Sequence, residues 1–342
     1  MSARSKGSRR WLALAGALAG LTLIAAAALA WWAWRWLDEP LAVPAQRAEV
    51  TIEGGSSARV VAQQWADAGI AVHPRALYEW FRWSGQARAI RAGTYEAVTG
   101  ITPRRLLAMM VQGEVMIERV RFIEGWTVKQ LRAELARAPY LRPESRGMTD
   151  GQLMAALGAA GQHPEGRFFP DTYAYGRGAS DLSVLKRAHA ALRERLAATW
   201  AERAPDSPLK SEDEALILAS IVEKETGIEG DRPLVAGVFA NRLRIGMLLQ
   251  TDPTVIYGLG ERFDGNLRRR DLLADTPYNT YTRSGLPPTP IALPGLASLR
   301  AAVRPQATKA IYFVARGDGS SAFSETLAEH NRAVNRYQRG GR

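Results

Sequence analysis

From Trp11 to Trp34 the chain carries no charged residue, and this run, WLALAGALAGLTLIAAAALAWWAW, constrains everything after it. As a helix rising about 1.5 Å per residue, it covers the roughly 30 Å hydrocarbon core of a bilayer. Trp11 stands at one end and Trp31, Trp32 and Trp34 at the other, where indole rings favour the membrane–water boundary. Arg4, Lys6, Arg9 and Arg10 precede the run with no acid among them. Residues 1–10 are therefore expected to stay in the cytoplasm, residues 11–34 to span the inner membrane once, and the remainder to lie in the periplasm. A cleaved export signal is the alternative. Its apolar core runs about 7–15 residues and ends at small residues rather than in a tryptophan cluster. Residues 35–48, with Pro40 and Pro44, read as a linker.

The exported part is long enough for two domains, and a hydrophobic content of 46% suffices for a true core. The net charge of +11 suits an anionic membrane surface, an acidic polymer or nucleic acid. Nucleic acid is disfavoured, because the basic mass lies on the far side of the membrane and no recognition motif is present. There is no cysteine, which removes disulfides, thiolate nucleophiles and Cys-held zinc. His73, His163, His189 and His330 show no metal-binding spacing, so neither a metal nor a cofactor is expected.

The overall expectation is an α+β chain behind a single membrane helix. Residues 49–114 read as a small α+β module. A strand near Val50 leads to a turn at Gly54-Gly55 and a helix capped by Ser56 or Ser57. A second helix follows from Pro74 to Trp83, then the strand RAGTYEAV and a third helix opened by Thr102-Pro103. Residues 115–338 form the larger domain. It begins with a strand alternating through Ile117, Arg119, Arg121 and Ile123 and a helix capped by Thr127. Residues 139–166 are rich in Gly, Ala and Pro. The aromatic loop EGRFFPDTY follows, and then a long helix from Leu182 to Arg203.

Ser211 and Glu214 form a capping-box pattern that opens ALILASIVEKETG. From Ala215 to Val222 only Ser220 is polar, the mark of a helix buried nearly all round. Gly227 is its natural terminator. Glu223 and Glu225 sit at the end of this helix and point about 200° apart, so at most one faces a given cleft. Glu225 has Ile221 and Val222 one turn behind it. Apolar neighbours and the negative end of a helix both favour the protonated carboxyl, as a general acid requires. Glu225 is the candidate acid and Glu223 the alternative. The plain alternative is a solvated helix end. Downstream, Asn241, Gln250, Thr251, Tyr257, Asn279 and Tyr281 lie in amide- and tyrosine-rich loops whose groups suit sugar hydroxyls and pyranose faces. Asp252 reads as a cap for a helix starting at Pro253, or as a second carboxylate.

These segments, LASIVEKET, NRLRIGMLLQTDPTVIYG, TPYNTYTRSGLPPTPIALPG and YFVARGDGSSAFSETLAEHN, together with EGRFFPDTY, closely resemble the YceG-like family of endolytic murein transglycosylases. The resemblance runs from the anchor to about Tyr337. It implies a LysM-like subdomain at residues 49–114 and a catalytic domain that cuts the bond between N-acetylmuramic acid and N-acetylglucosamine in nascent peptidoglycan strands, leaving a 1,6-anhydro end. It implies that the catalytic glutamate is the one followed by Thr, Glu225, and that peptidoglycan synthases are partners. Two rivals remain at this level: a muramidase-type hydrolase, and a non-catalytic wall-binding scaffold.

Overall fold

The structure, a computed structural model, describes residues 5–340. Helix α1 spans Ser5–Trp36, and its stretch Leu14–Trp36 is long and apolar enough to cross a membrane. Trp11, Leu18, Ile24, Trp31, Trp32 and Trp34 on it are all exposed, a surface compatible with a membrane anchor. The chain divides into two compact units, the first running through Ile117 and including α1, the second from Glu118 onward except for Gly176–Gly178, which belong to the first.

In the first unit β1 (Arg47–Ile52) pairs antiparallel with β2 (Gly93–Val98), Arg47 opposite Val98 and Ile52 opposite Gly93. The two-residue period of β1 buries Ala48, Val50 and Ile52 and exposes the alternate positions. Helices α2 (Ala58–Asp67) and α3 (Pro74–Trp83) lie between the strands in sequence, and α4 (Pro103–Gln112) follows β2. Ser57, rather than Ser56, caps α2 by accepting the Val60 N–H, and Thr102 caps α4 in the same way. Trp65, Leu77, Phe81, Tyr95, Leu106 and Met110 are fully buried in one core. The expected linker is partly built into this unit. Leu37 and Leu41 are buried, and the Leu41 N–H bonds to the Ile101 carbonyl at 2.8 Å.

The second unit begins in β3 (Ile117–Arg121), which pairs with β4 (Thr172–Gly176). Helices α5 (Val128–Arg137), α6 (Asp150–Ala156) and α7 (Asp181–Ala201) pack beside them around Phe122, Leu131, Leu153, Phe168 and Val184. Helix α6 lies inside the Gly- and Pro-rich stretch, opened by a capping box of Thr149 and Gln152. The centre of the unit is α8 (Glu212–Glu225), in which every residue from Ala215 to Val222 is buried. Around it come α9 (Arg232–Arg244), α10 (Asp252–Leu259), α11 (Arg269–Leu273) and α12 (Leu296–Val303). The hairpin β5 (Tyr312–Ala315) and β6 (Ser321–Ser324) and the final helix α13 (Leu327–Tyr337) complete it. Among the described residues the fold is thus mixed, with helices dominant and every sheet two-stranded.

Candidate active site

An apolar helix fixes where its polar end must lie, and α8 does this for Glu225. The Ser211 hydroxyl accepts the Glu214 N–H at 3.2 Å. The return half of the box is absent, because the Glu214 carboxylate takes the Lys210 N–H at 2.6 Å instead. Ser220, the one polar residue of the apolar run, accepts the Ile291 N–H at 3.0 Å. That bond pins the proline-rich loop after Tyr278 against the helix. The helix ends at Glu225, with Thr226 at the cap position in an extended conformation.

The two glutamates have separate environments. Glu223 accepts the Gly295 N–H at 2.9 Å, at the start of α12, and lies 3.5 Å from the Arg232 guanidinium. Its side chain is 6% exposed and serves the framework. Glu225 is half-buried and borders an open cleft of about 580 Å³, whose other walls include Arg242, Gln250, Asp252, Tyr281, Tyr312 and His330. The Thr251 hydroxyl donates to its carboxylate. Burial pushes the Glu225 carboxyl up to about 7. The Thr251 hydrogen bond works against that rise, the negative charge of Asp252 adds to it, and Arg242 opposes it. A carboxyl titrating near neutrality can both give and take a proton at working pH.

Arg242 was not foreseen as a site residue, although it adjoins Asn241 in the sequence. It is 7% exposed, and its N–H groups go to backbone carbonyls: Ile311 at 2.7 Å, Leu249 at 2.7 Å and Leu248 at 3.2 Å. Its guanidinium lies 5.3 Å from the Tyr312 ring centroid, and His330 stacks on the same ring at 5.1 Å. It therefore buttresses the cleft and adds a muted positive field.

The remaining expected residues divide into two groups. Gln250, Thr251 and Tyr281 gather around Glu225. Gln250 takes a left-handed backbone (φ 50°) and gives its N–H to the Thr280 carbonyl, while the Thr251 N–H goes to the Thr280 hydroxyl. The 250–254 turn and the 278–281 loop are thereby stitched together. Asn241, Asn279 and Tyr257 do not reach the cleft. The Asn241 amide holds the Thr308 and Ala310 carbonyls. Asn279 is fully buried, its amide donating to the Asp271, Leu272 and Ala274 carbonyls and its oxygen accepting the Tyr281 N–H. Tyr257 gives its hydroxyl to Glu165 at 3.2 Å and packs edge-on against Tyr278. In a loop, an amide bonds backbone carbonyls as readily as sugar hydroxyls, so the sequence could not separate the two uses. Asp252 is the first residue of α10 and makes no capping bond. It accepts the Tyr281 hydroxyl at 2.5 Å instead. Among the described residues no cluster of three His, Asp or Glu side chains suits a metal ion.

With this geometry in place, the comparisons with known proteins agree among themselves. The sequence pattern of the YceG-like family matches residues 50–336. An endolytic murein transglycosylase of Bacillus subtilis is 29% identical over 305 residues, covering 84% of each chain. A protein of the same description from Streptococcus pneumoniae is 32% identical over 179 residues, 50% of this chain and 31% of that one. A crystal structure of a YceG-like protein from Listeria monocytogenes superposes with a TM-score of 0.51 at 28% identity, covering 84% of this chain and 98% of that chain.

Proposed function

The chain belongs to the YceG-like family, and from that premise we propose that it is an endolytic murein transglycosylase, a lyase cutting peptidoglycan strands with Glu225 as its acid and base. The observation that carries the assignment is a half-buried carboxyl at the tip of an apolar helix, open to a cleft and pushed up to about 7. Protonated Glu225 donates to the glycosidic oxygen between N-acetylmuramic acid and N-acetylglucosamine as the bond to the anomeric carbon breaks. The carboxylate then takes the proton of the muramic acid C6 hydroxyl, which attacks that carbon and closes a 1,6-anhydro ring. Glu225 ends as it began, and no water is consumed. Tyr281 and Gln250 on the cleft wall orient the sugars, and Thr251 fixes the carboxyl rotamer.

Helix α1 serves as a single-pass anchor in the inner membrane, its basic flank cytoplasmic and residues 37–340 periplasmic. The support is its length, its exposed apolar surface and the tryptophans near its outer end. The first unit is read as LysM-like because two helices stand between paired antiparallel strands. Placed there, the protein meets strands as synthases on the same membrane face produce them.

The test is Glu225→Gln on purified peptidoglycan. Anhydro-ended products should fall about 10²–10⁴-fold with folding unchanged. Full activity in this variant rejects the assignment, and loss confined to Glu223→Gln moves the role there. Reducing ends in the products of the unaltered enzyme identify a hydrolase.

A further inference from the structure

Several exposed aspartates of the second unit pair with an arginine, as Asp206 does with Arg244, Asp264 with Arg268 and Asp275 with Arg283, and others, such as Asp171 and Asp318, bond only to groups beside them in sequence. Asp252 differs. Its hydrogen-bond partner is a neutral phenol, the Tyr281 hydroxyl at 2.5 Å, and its carboxylate lines the same cleft as Glu225. Arg242, the arginine in the cleft wall, directs its N–H groups to three carbonyls. The negative charge of Asp252 is thus left unneutralised on the cleft side. Helix capping does not account for it, since α10 has no side-chain cap.

Much of the local framework holds this charge still. The left-handed Gln250 turns the chain into α10. Thr251 and Thr254 bond to Thr280, and buried Asn279 fixes the Tyr281 backbone. Two segments far apart in sequence are locked so that Tyr281 meets Asp252. Backbone strain at a non-glycine residue persists where the surroundings over-determine it, most often at functional sites.

We propose that Asp252 is a second working carboxylate: a fixed negative charge, oriented by Tyr281, that stabilises the positive charge developing at the anomeric carbon while Glu225 moves the protons. This rests on the assignment of Glu225 above. Asp252 forms no bond to the sugar and takes no proton. As the bond from the anomeric carbon to the leaving oxygen breaks, positive charge appears at that carbon, and it vanishes when the C6 oxygen attacks. A charge fixed before the reaction stabilises that moment without reorganisation. Its second effect is on Glu225, whose proton it helps retain. The titratable and charged groups that line the cleft with Glu225 are Arg242 from α9, Asp252 from α10, Tyr281 from the loop, Tyr312 from β5 and His330 from α13. Of these, Asp252 supplies the negative charge.

The test uses the full chain in detergent on purified glycan strands, comparing Asp252→Asn, Asp252→Glu and Glu225→Gln. Asparagine keeps the acceptor for Tyr281 and removes only the charge. It should lower kcat by about 10–100-fold with KM nearly unchanged, and move the basic limb of the kcat profile about 0.5–1 unit to lower pH. Glutamate should restore the limb. An unchanged kcat and limb, or a rise in KM alone, overturns the proposal. If Asp252→Asn proves unstable in a thermal melt, Asp252→Glu decides: a limb displaced like that of a neutral residue also overturns it. An inactive Glu225→Gln beside an unaltered Asp252→Asn sinks this inference alone, whereas an active Glu225→Gln sinks the reading beneath it as well.

Discussion

At Glu225 the Thr251 hydroxyl is the largest influence opposing burial, ahead of Arg242. The Thr251 hydroxyl stabilises the charged carboxylate, so its removal should push the carboxyl above about 7. A hydrogen bond to a charged group contributes about 1.5–3 kcal/mol when fully formed. Because Glu225 is only half-buried, Thr251→Val should move its titration by about one unit. The basic limb of the kcat profile, where Glu225 as the proposed acid loses its proton, should then shift to higher pH, opposite to Asp252→Asn. A profile that stays in place after this substitution argues that Thr251 does not tune the acid. The difference between Glu223 and Glu225 was legible in the sequence, because helical spacing alone turns them apart. Which loop residues complete the cleft was not. Asn279 and Tyr281 stand two positions apart in one motif, yet Asn279 is fully buried and Tyr281 meets the cleft. That outcome depends on where the Asp271–Ala274 carbonyls fall, which no local pattern encodes.

Among elements, the aromatic loop before β4 carries a second buried acid. Glu165 is 4% exposed and accepts the Val128 N–H at 3.0 Å, at the start of α5, and the Tyr257 hydroxyl at the far end of α10. The motif EGRFFPDTY stood out in the sequence for its aromatics, while the role of its acid became clear only from the packing. Gly166 beside it has φ 77°, and a Cβ there would lie 2.4 Å from Pro290, so glycine is required for the two loops to approach. Burial pushes the Glu165 carboxyl from 4.5 up to about 7. Between those values the folded state holds a proton that the unfolded chain has released, so stability falls as pH rises through the window. Above it the cost is of order 3 kcal/mol. Glu165→Gln mimics the protonated acid. Its melting temperature should exceed that of the parent above pH 7, and the difference should close towards pH 4.5. A constant difference across that range would show that Glu165 does not titrate in the folded protein.

For the whole molecule, the decisive boundary is where the apolar helix α1 ends and the folded body begins. Composition suggested a linker over residues 35–48, because Pro40, Pro44 and the charges around them break an apolar run. Prolines also occur where a chain is held extended against a core. Leu37 and Leu41 are each 7% exposed, the Leu37 carbonyl accepts the Arg104 N–H at 3.1 Å, and Ala48 already belongs to β1. Burying a leucine side chain contributes about 1.5–3 kcal/mol. Removal of residues 1–36 should therefore leave the melting temperature of the remainder nearly unchanged while abolishing the flotation with lipid vesicles that the proposed anchor confers, and purified strands should still be cut. Removal of residues 1–48 takes both leucines and the first two residues of β1 with it. It should cost about 3–6 kcal/mol by the same reckoning, a large part of a typical domain's margin, and should show as a lowered denaturant midpoint. Equal stability of the two truncations would return residues 37–48 to the status of a passive tether. A lower midpoint for the shorter one would mean that residues 37–48 are part of the folded body, so that the proposed anchor α1 is joined to it without a free tether.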